Sequence, residues 1–169
     1  MEQDTLYLSF SEIPDASEIL FKGEIPGIFV EEAIRSHSFS MVTRHFHESL
    51  ELYFLIEGER FYFVEQDTYH LQEHMAILVD QNQIHKTCPA GTGKKHHRFL
   101  MQLEGPVLDQ LLRLCGSVSL EEFGNAYRGI TRFSVDQWAQ ILSLLTDPLP
   151  KQFSLWRAVS DPYYQNSAL

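Results

Sequence analysis

Up to residue 103, apolar side chains recur at every second position or fill short unbroken runs; beyond it they recur every three to four. The first pattern belongs to β-strands, whose side chains alternate between faces, and the second to amphipathic helices. Phe39, Met41, Thr43, His45 and His47 share one parity and predict a strand. Residues 50–56 form a run that is apolar on both faces, as in a strand buried on both sides. Gly58 then predicts a hairpin into a strand at 60–64. Gln66-Asp67 turns the chain, residues 69–71 return, and 75–79 form the next strand. Strands at 84–87 and 98–103 complete the set. Short strands so closely spaced by turns predict a β-sandwich or small barrel of six to eight strands. Residues 1–38 are less patterned. Leu6, Leu8 and Phe10 alternate like a short strand, and Pro26-Gly27 marks a turn before residues 28–30.

Gly105-Pro106 opens the helical part, with proline suited to a first turn. Val107, Leu108, Leu111, Leu112 and Cys115 share a face, and Gly116 suits the end of that helix. Ser119 with Glu122, and again Ser134 with Gln137, have capping-box spacing. The second pair precedes a stripe of Val135, Trp138, Ile141, Leu142 and Leu145. Pro148 and Pro150 stop that helix. The expected organisation is a β-barrel over residues 1–104, a helical segment of the same domain over 105–147, and a linker-like tail over 148–169 with one apolar turn at 153–159.

Composition narrows the function. The chain has 169 residues, 44% of them apolar and 12% aromatic, enough for one domain with a real core. A net charge of −10 argues against gripping nucleic-acid phosphates unaided. The one basic cluster, Lys94-Lys95-His96-His97-Arg98, follows Gly91-Thr92-Gly93 and reads as a solvated hairpin entering a strand. Cys88 and Cys115 suggest free thiols rather than a disulfide framework. An acidic start broken by Pro14 is unlike a signal peptide, and no apolar run reaches the roughly eighteen residues of a membrane span. The expected location is the cytoplasm.

Candidate chemistry gathers around residues 44–59. His45 and His47 are two apart, so in a strand they point the same way. Glu51 follows four residues on, and His85 lies in a later strand. Three imidazoles and one carboxylate suit a divalent metal (zinc, iron, nickel or manganese) with a position open to water or substrate. The same four residues equally suit the polar lining of an organic-ligand pocket, and Glu51 has Arg44 and Arg60 as alternative partners. Phe39, Tyr53 and Tyr62 are candidates to stack on a ligand ring, or to belong to the core. His70 and His74, beside a turn, are expected to face solvent. His96 and His97 are adjacent, so at most one of them faces a pocket. No nucleophile elbow, phosphate-binding loop or dinucleotide fingerprint occurs.

His45, His47, Glu51 and Gly58, spaced as H-x-H, three residues, E, six residues, G, resemble the first motif of the cupin superfamily. The stretches around them, including ELYFLIEGE and YHLQEHMAILVDQNQIH, are similar to the N-terminal sensor domain of AraC-type transcriptional regulators over residues 39–145. The second cupin motif keeps only His85: His74, Asp80 and Asn82 stand where glycine, proline and glycine are usual, and Phe39 replaces an earlier glycine. The resemblance implies a cupin-type jelly-roll β-barrel followed by C-terminal α-helices. It implies a non-enzymatic sensor of a sugar or other metabolite, lined by the residues named above. It also implies a homodimer through Val135, Trp138, Ile141, Leu142, Leu144 and Leu145. DNA would be reached only through a C-terminal helix-turn-helix domain, which the sequence to Leu169 does not include. The alternative is a small metal-dependent cupin enzyme, an oxygenase or isomerase, with His45, His47, Glu51 and His85 as ligands.

Overall fold

Among the described residues, nine strands and three helices follow in the order β1 (Glu18–Ile25), β2 (Ile28–Ser36), β3 (Leu50–Glu57), β4 (Arg60–Val64), β5 (Asp67–Leu71), β6 (Met75–Val79), β7 (His85–Pro89), β8 (Lys95–Leu103), α1 (Gly105–Leu114), α2 (Leu120–Tyr127), β9 (Gly129–Arg132) and α3 (Val135–Thr146). The computed structural model describes residues 17–36, 40–93, 95–116, 119–147 and 151. The strand expected at Leu6 to Phe10, Phe39, Lys94 and nearly all of the tail with its apolar turn lie outside the described residues.

All pairings are antiparallel. Six strands form one sheet in the order β1-β2-β8-β3-β6-β9, and three form a second in the order β5-β4-β7. Directly opposed residues share a face, so the register assigns every side chain of the large sheet. Glu51 opposes Gln102, Tyr53 opposes Leu100 and Leu55 opposes Arg98. Ala33 also opposes Arg98, and Arg35 opposes His96. These residues face the small sheet, where Tyr53, Leu55, Ile77 and Val79 pack with Tyr62, Val64 and Leu71. The other parity faces the helices. Leu50, Leu78 and Leu103 meet Leu108, Leu112 and Phe123, while Val30 and Phe99 meet Leu145. The large sheet is therefore covered on both sides, which explains why residues 50–56 and 75–79 carry no clean alternation. The chain is mainly β, a cupin-type jelly roll of two facing sheets followed by C-terminal helices.

Three expectations change. The strand at 39–47 is reduced, in its described part, to one isolated bridge between His45 and His85. Val42 and Phe46 are largely exposed there, so alternate positions lack a second layer to bury against. Strand β9 was not anticipated; it falls between two helices, pairs with β6 and brings the helical segment back into the large sheet. Cys115 caps α1 instead of lining its buried face and is exposed. The expected caps are present: Ser119 Oγ accepts from Glu122 N at 3.1 Å, and Ser134 and Gln137 form a complete capping box.

Gly58 sits where the chain leaves the large sheet for the small one. Its φ is +97°, and a Cβ there would lie 2.9 Å from Lys95 O and 3.2 Å from His96 Cα. Only glycine fits that approach. Among the described residues, no helix is long and apolar enough to cross a membrane.

Candidate functional site

The space between the two sheets is apolar at one end and polar at the other. Glu51, from β3, is 3% exposed at the centre of the polar end. It pairs with neither Arg44 nor Arg60. His47 Nε2 lies 3.0 Å from its Oε2, Gln102 Nε2 donates to the same oxygen at 3.1 Å, and Tyr62 donates a short hydrogen bond to Oε1. Burial pushes the carboxyl up, but the His47 bond, the adjacent His85 and the bonds from Tyr62 and Gln102 outweigh it and hold the pKa at about 2. The phenol of Tyr62 moves the other way: burial first, then the Glu51 charge, drives it well above its ordinary value.

The three histidines come together as the sequence pattern implied. Ring centroids are 4.2 Å apart for His45 and His85, 4.9 Å for His47 and His85, and 5.9 Å for His45 and His47. His47 has an acceptor at each end, Ser49 O at 2.9 Å from Nδ1 and Glu51 Oε2 at 3.0 Å from Nε2, an arrangement that suits the imidazolium. The Glu51 bond accordingly raises its pKa, against the pull of burial. His45 shifts down, through burial and then its neighbour His85.

His85 is placed for ligation. Its Nδ1 lies 2.8 Å from Gln83 O and donates there, so in the neutral ring Nε2 carries the lone pair. That Nε2 is buried without a hydrogen-bond partner among the described residues, as is His45 Nδ1. Ligand atoms of His45, His47 and His85 lie within 4.8 Å of one another. A first-row divalent ion bonded at about 2.0–2.2 Å spaces its ligands by about 3.0–3.6 Å, so small ring rotations close the set. The backbone carbonyls on Nδ1 of His47 and His85 are the outer support such ligands usually have. The three-imidazole donor set fits zinc, iron, nickel or manganese; Glu51 Oε2 lies beside it, 3.0 Å from His47 Nε2 and 3.8 Å from His85 Nε2.

Beside this cluster lies a cavity of about 140 Å³, bounded by His45, Glu51, Tyr53, Tyr62, Arg98 and Gln102 among others. A larger cleft of about 630 Å³ opens near Pro26, Gly27 and Pro106. It gathers no comparable set of buried donors among the described residues, so the interior cavity is the chemically specific one. Of the aromatic candidates, Tyr53 and Tyr62 border it with rings 5.2 Å apart, edge to face. Phe39 lies outside the described residues.

The basic cluster corrects a sequence expectation. Lys95 is exposed, but His96 and Arg98 are buried in β8 and border the cavity. His97, on the opposite face, pairs with Glu32 at 2.8 Å. Arg98 is held by Glu31, to which Arg35 also donates at 3.2 Å. Those carboxylates lie more than sixty residues from β8, so nothing in the local sequence signalled the burial. Thr87, Gln102, Arg35 and Arg60 were missed for the same reason; the even parity of 96, 98, 100 and 102 was the one signal available. His70 is exposed as expected and pairs with Glu59 at 3.0 Å. His74 is half-buried instead, with φ +64° and its ring 5.4 Å from Trp138.

Two facing sheets around a polar cavity, with helices outside, define a cupin-type binding domain. The model of the AraC-like ligand binding domain matches residues 26–148, and the chain belongs to that family. Among solved structures, an RmlC-like cupin from Methanocaldococcus jannaschii is 14% identical, with TM-score 0.46 over 66% of this chain and 97% of that one. The Cnp3 cupin domain of Schizosaccharomyces pombe is 10% identical, with TM-score 0.47 over 61% and 72%. A DMSP lyase from Ruegeria pomeroyi DSS-3 is 15% identical, with TM-score 0.45 over 54% and 48%. A comparison with curated proteins gave no match.

Proposed function

We propose that this chain is the small-molecule-sensing and dimerisation domain of an AraC-family transcriptional regulator, working in the cytoplasm without enzymatic turnover. An effector enclosed between the sheets would control a DNA-binding domain joined C-terminal to the helical segment. The observation that carries the reading is the enclosed polar cavity at Glu51, His45, Tyr53 and Tyr62, within a chain of the ligand-binding family. It has a floor of buried hydrogen-bonding groups, and its volume of about 140 Å³ restricts the occupant to a very small molecule. The mechanism is a population shift: an effector that prefers one arrangement of sheet and helices moves the equilibrium by its difference in affinity and no more.

Dimerisation belongs to the same reading. On α3, Trp138 and Leu145 point into the protomer and are buried, whereas Val135 and Leu144 are 72% and 61% exposed. The exposed pair, with the half-buried Ile141 and Leu142 beside it, is the part left for a second copy.

The test is a thermal-shift and calorimetric screen of small polar metabolites against wild type and Glu51→Gln. Saturable stabilisation by one chemical class, weakened in Glu51→Gln, is expected. If no class raises the melting temperature, the sensing role fails.

A second reading has its own observation. The buried, unpartnered Nε2 of His85 and Nδ1 of His45 favour a bound divalent ion held by His45, His47, His85 and Glu51. Such an ion would supply a Lewis acid next to the cavity, whether in a sensor or in an oxygenase or isomerase. In either case Tyr62 and Gln102 hold Glu51 in place while the cavity admits the small molecule.

A further inference from the structure

The polar end of the cavity carries more positive charge than its own carboxylates match. Arg60 does not itself line the cavity but is joined to its lining at Thr87, whose Oγ1 accepts from Arg60 Nε at 3.1 Å; it is 0% exposed, and its Nη1 and Nη2 are buried with no hydrogen-bond partner among the described residues. Arg98 is 7% exposed, is held through Nη2 by Glu31, and keeps Nη1 buried and likewise unpartnered. Its guanidinium carbon lies 6.0 Å from the centroid of Tyr53, whose hydroxyl is also buried and unpartnered. Arg35 shares the same Glu31 oxygen. Glu51 does not redress the balance, because His47, Tyr62 and Gln102 already occupy it. Glu32 cannot, because it lies on the opposite face of β2 and pairs with His97.

Buried donors and charges without partners are costly, and a fold keeps them where a ligand completes them. Guanidinium forks match a planar oxyanion in pairs of parallel hydrogen bonds. The cavity, about 140 Å³, has room for roughly five water molecules at about 30 Å³ each. That admits a short organic acid.

We propose that the effector is a small carboxylate whose head group is bound by Arg98 and the Tyr53 hydroxyl, with the Arg60 charge held next to the lining by Thr87, and with its remainder directed toward Gln102 and His45. This rests on the sensing role proposed above and narrows its ligand class. Arg98 and Arg60 select the charge, and Gln102 and His45 read the polar groups of the short tail.

The experiment measures binding by calorimetry and thermal shift, using acetate, lactate, pyruvate, succinate and benzoate as probes. Glycerol and xylose serve as neutral comparisons, and inorganic phosphate and sulfate as bare oxyanions. At least one carboxylate is expected to bind saturably. Arg98→Gln should weaken it on the order of 10- to 100-fold, as loss of a charge-assisted hydrogen bond does, and Arg60→Met should weaken it by a smaller factor, through loss of charge beside the lining. Tyr53→Phe should weaken it less while leaving the fold intact. Arg60→Met, which breaks no ion pair, should be at least as stable as wild type without ligand, so lost binding in that variant is not lost folding. Binding by the neutral compounds alone would overturn the carboxylate assignment and leave the sensing role standing. So would binding by phosphate or sulfate alone, or unchanged affinity in both arginine variants. No binding by any probe overturns both.

Discussion

Tyr62 reaches from the small sheet to Glu51 on the large one, and its hydroxyl donates to Oε1 of that buried carboxylate. Tyr53, equally buried and edge-on to Tyr62, has a hydroxyl with no partner among the described residues. Removing the two hydroxyls should therefore have opposite consequences. Tyr62→Phe leaves a buried carboxylate one donor short and should cost about 1.5–3 kcal/mol, whereas Tyr53→Phe should be neutral or slightly stabilising without ligand. Urea unfolding of both variants checks this. Equal destabilisation would show that the Tyr53 hydroxyl has a partner of its own.

Glu51 should dominate the acid limb of stability in chelator-treated protein. Its folded pKa of about 2 lies below the ordinary value of 4.5. A depressed carboxyl stabilises the fold above its unfolded pKa, and that contribution disappears as pH falls from 4.5 through about 2. The shift corresponds to about 3 kcal/mol. Folding free energy measured across this window should fall in wild type and be flatter in Glu51→Gln; identical slopes would refute the assignment.

Metal binding has a direct signature. Zinc or nickel added to chelator-treated protein should raise the melting temperature and saturate at one equivalent. His85→Ala should abolish the effect, because it deletes the buried lone pair at Nε2, and chelator should reverse it in wild type. A rise that persists in His85→Ala would place the ion elsewhere.

Helix α3 separates folding from association. Leu144→Glu should shift a dimer toward monomer in sedimentation velocity with little change in melting temperature, since its side chain is outside. Trp138→Ala should instead cost about 3–5 kcal/mol of stability, because the ring is 4% exposed and packs against Phe54 and Phe133. Unchanged association in Leu144→Glu would exclude that face.

Gly58→Ala tests the junction between the sheets. The positive φ and the 2.9 Å approach to Lys95 O should make the substitution cost at least about 1–3 kcal/mol. Chemical denaturation would measure it, and a neutral result would mean that the hairpin relaxes.

The strands at 50–56, 60–64 and 75–79 were legible because their burial is written locally, in apolar runs bounded by turns. The convergence of His45, His47 and Glu51 was legible because the three lie within seven residues of one another, although a bend at 48–49 rather than unbroken alternation brings Glu51 alongside. Other features depend on distant partners. Arg98 and His97 are polar residues in a charged neighbourhood; Glu31 and Glu32, brought alongside by pairing of β2 with β8, give the buried Arg98 and the half-buried His97 their partners. Strand β9, four residues between two helices, has no length for its own pattern; β6 supplies the hydrogen bonds that make it a strand. The run around His45 failed in the opposite way: its alternation is clear, but no layer covers its second face.

Strand β8 is the wall between cavity and helices, and its two parities belong to different jobs. His96, Arg98, Leu100 and Gln102 border the cavity. Phe99 and Leu103, between them, pack beneath the helices. A substitution at an even position alters what the domain admits without touching the helical packing. A substitution at an odd position alters how the helices rest without touching the pocket. Descendants of this sequence can therefore change the lining of the cavity while inheriting the same helical packing unchanged.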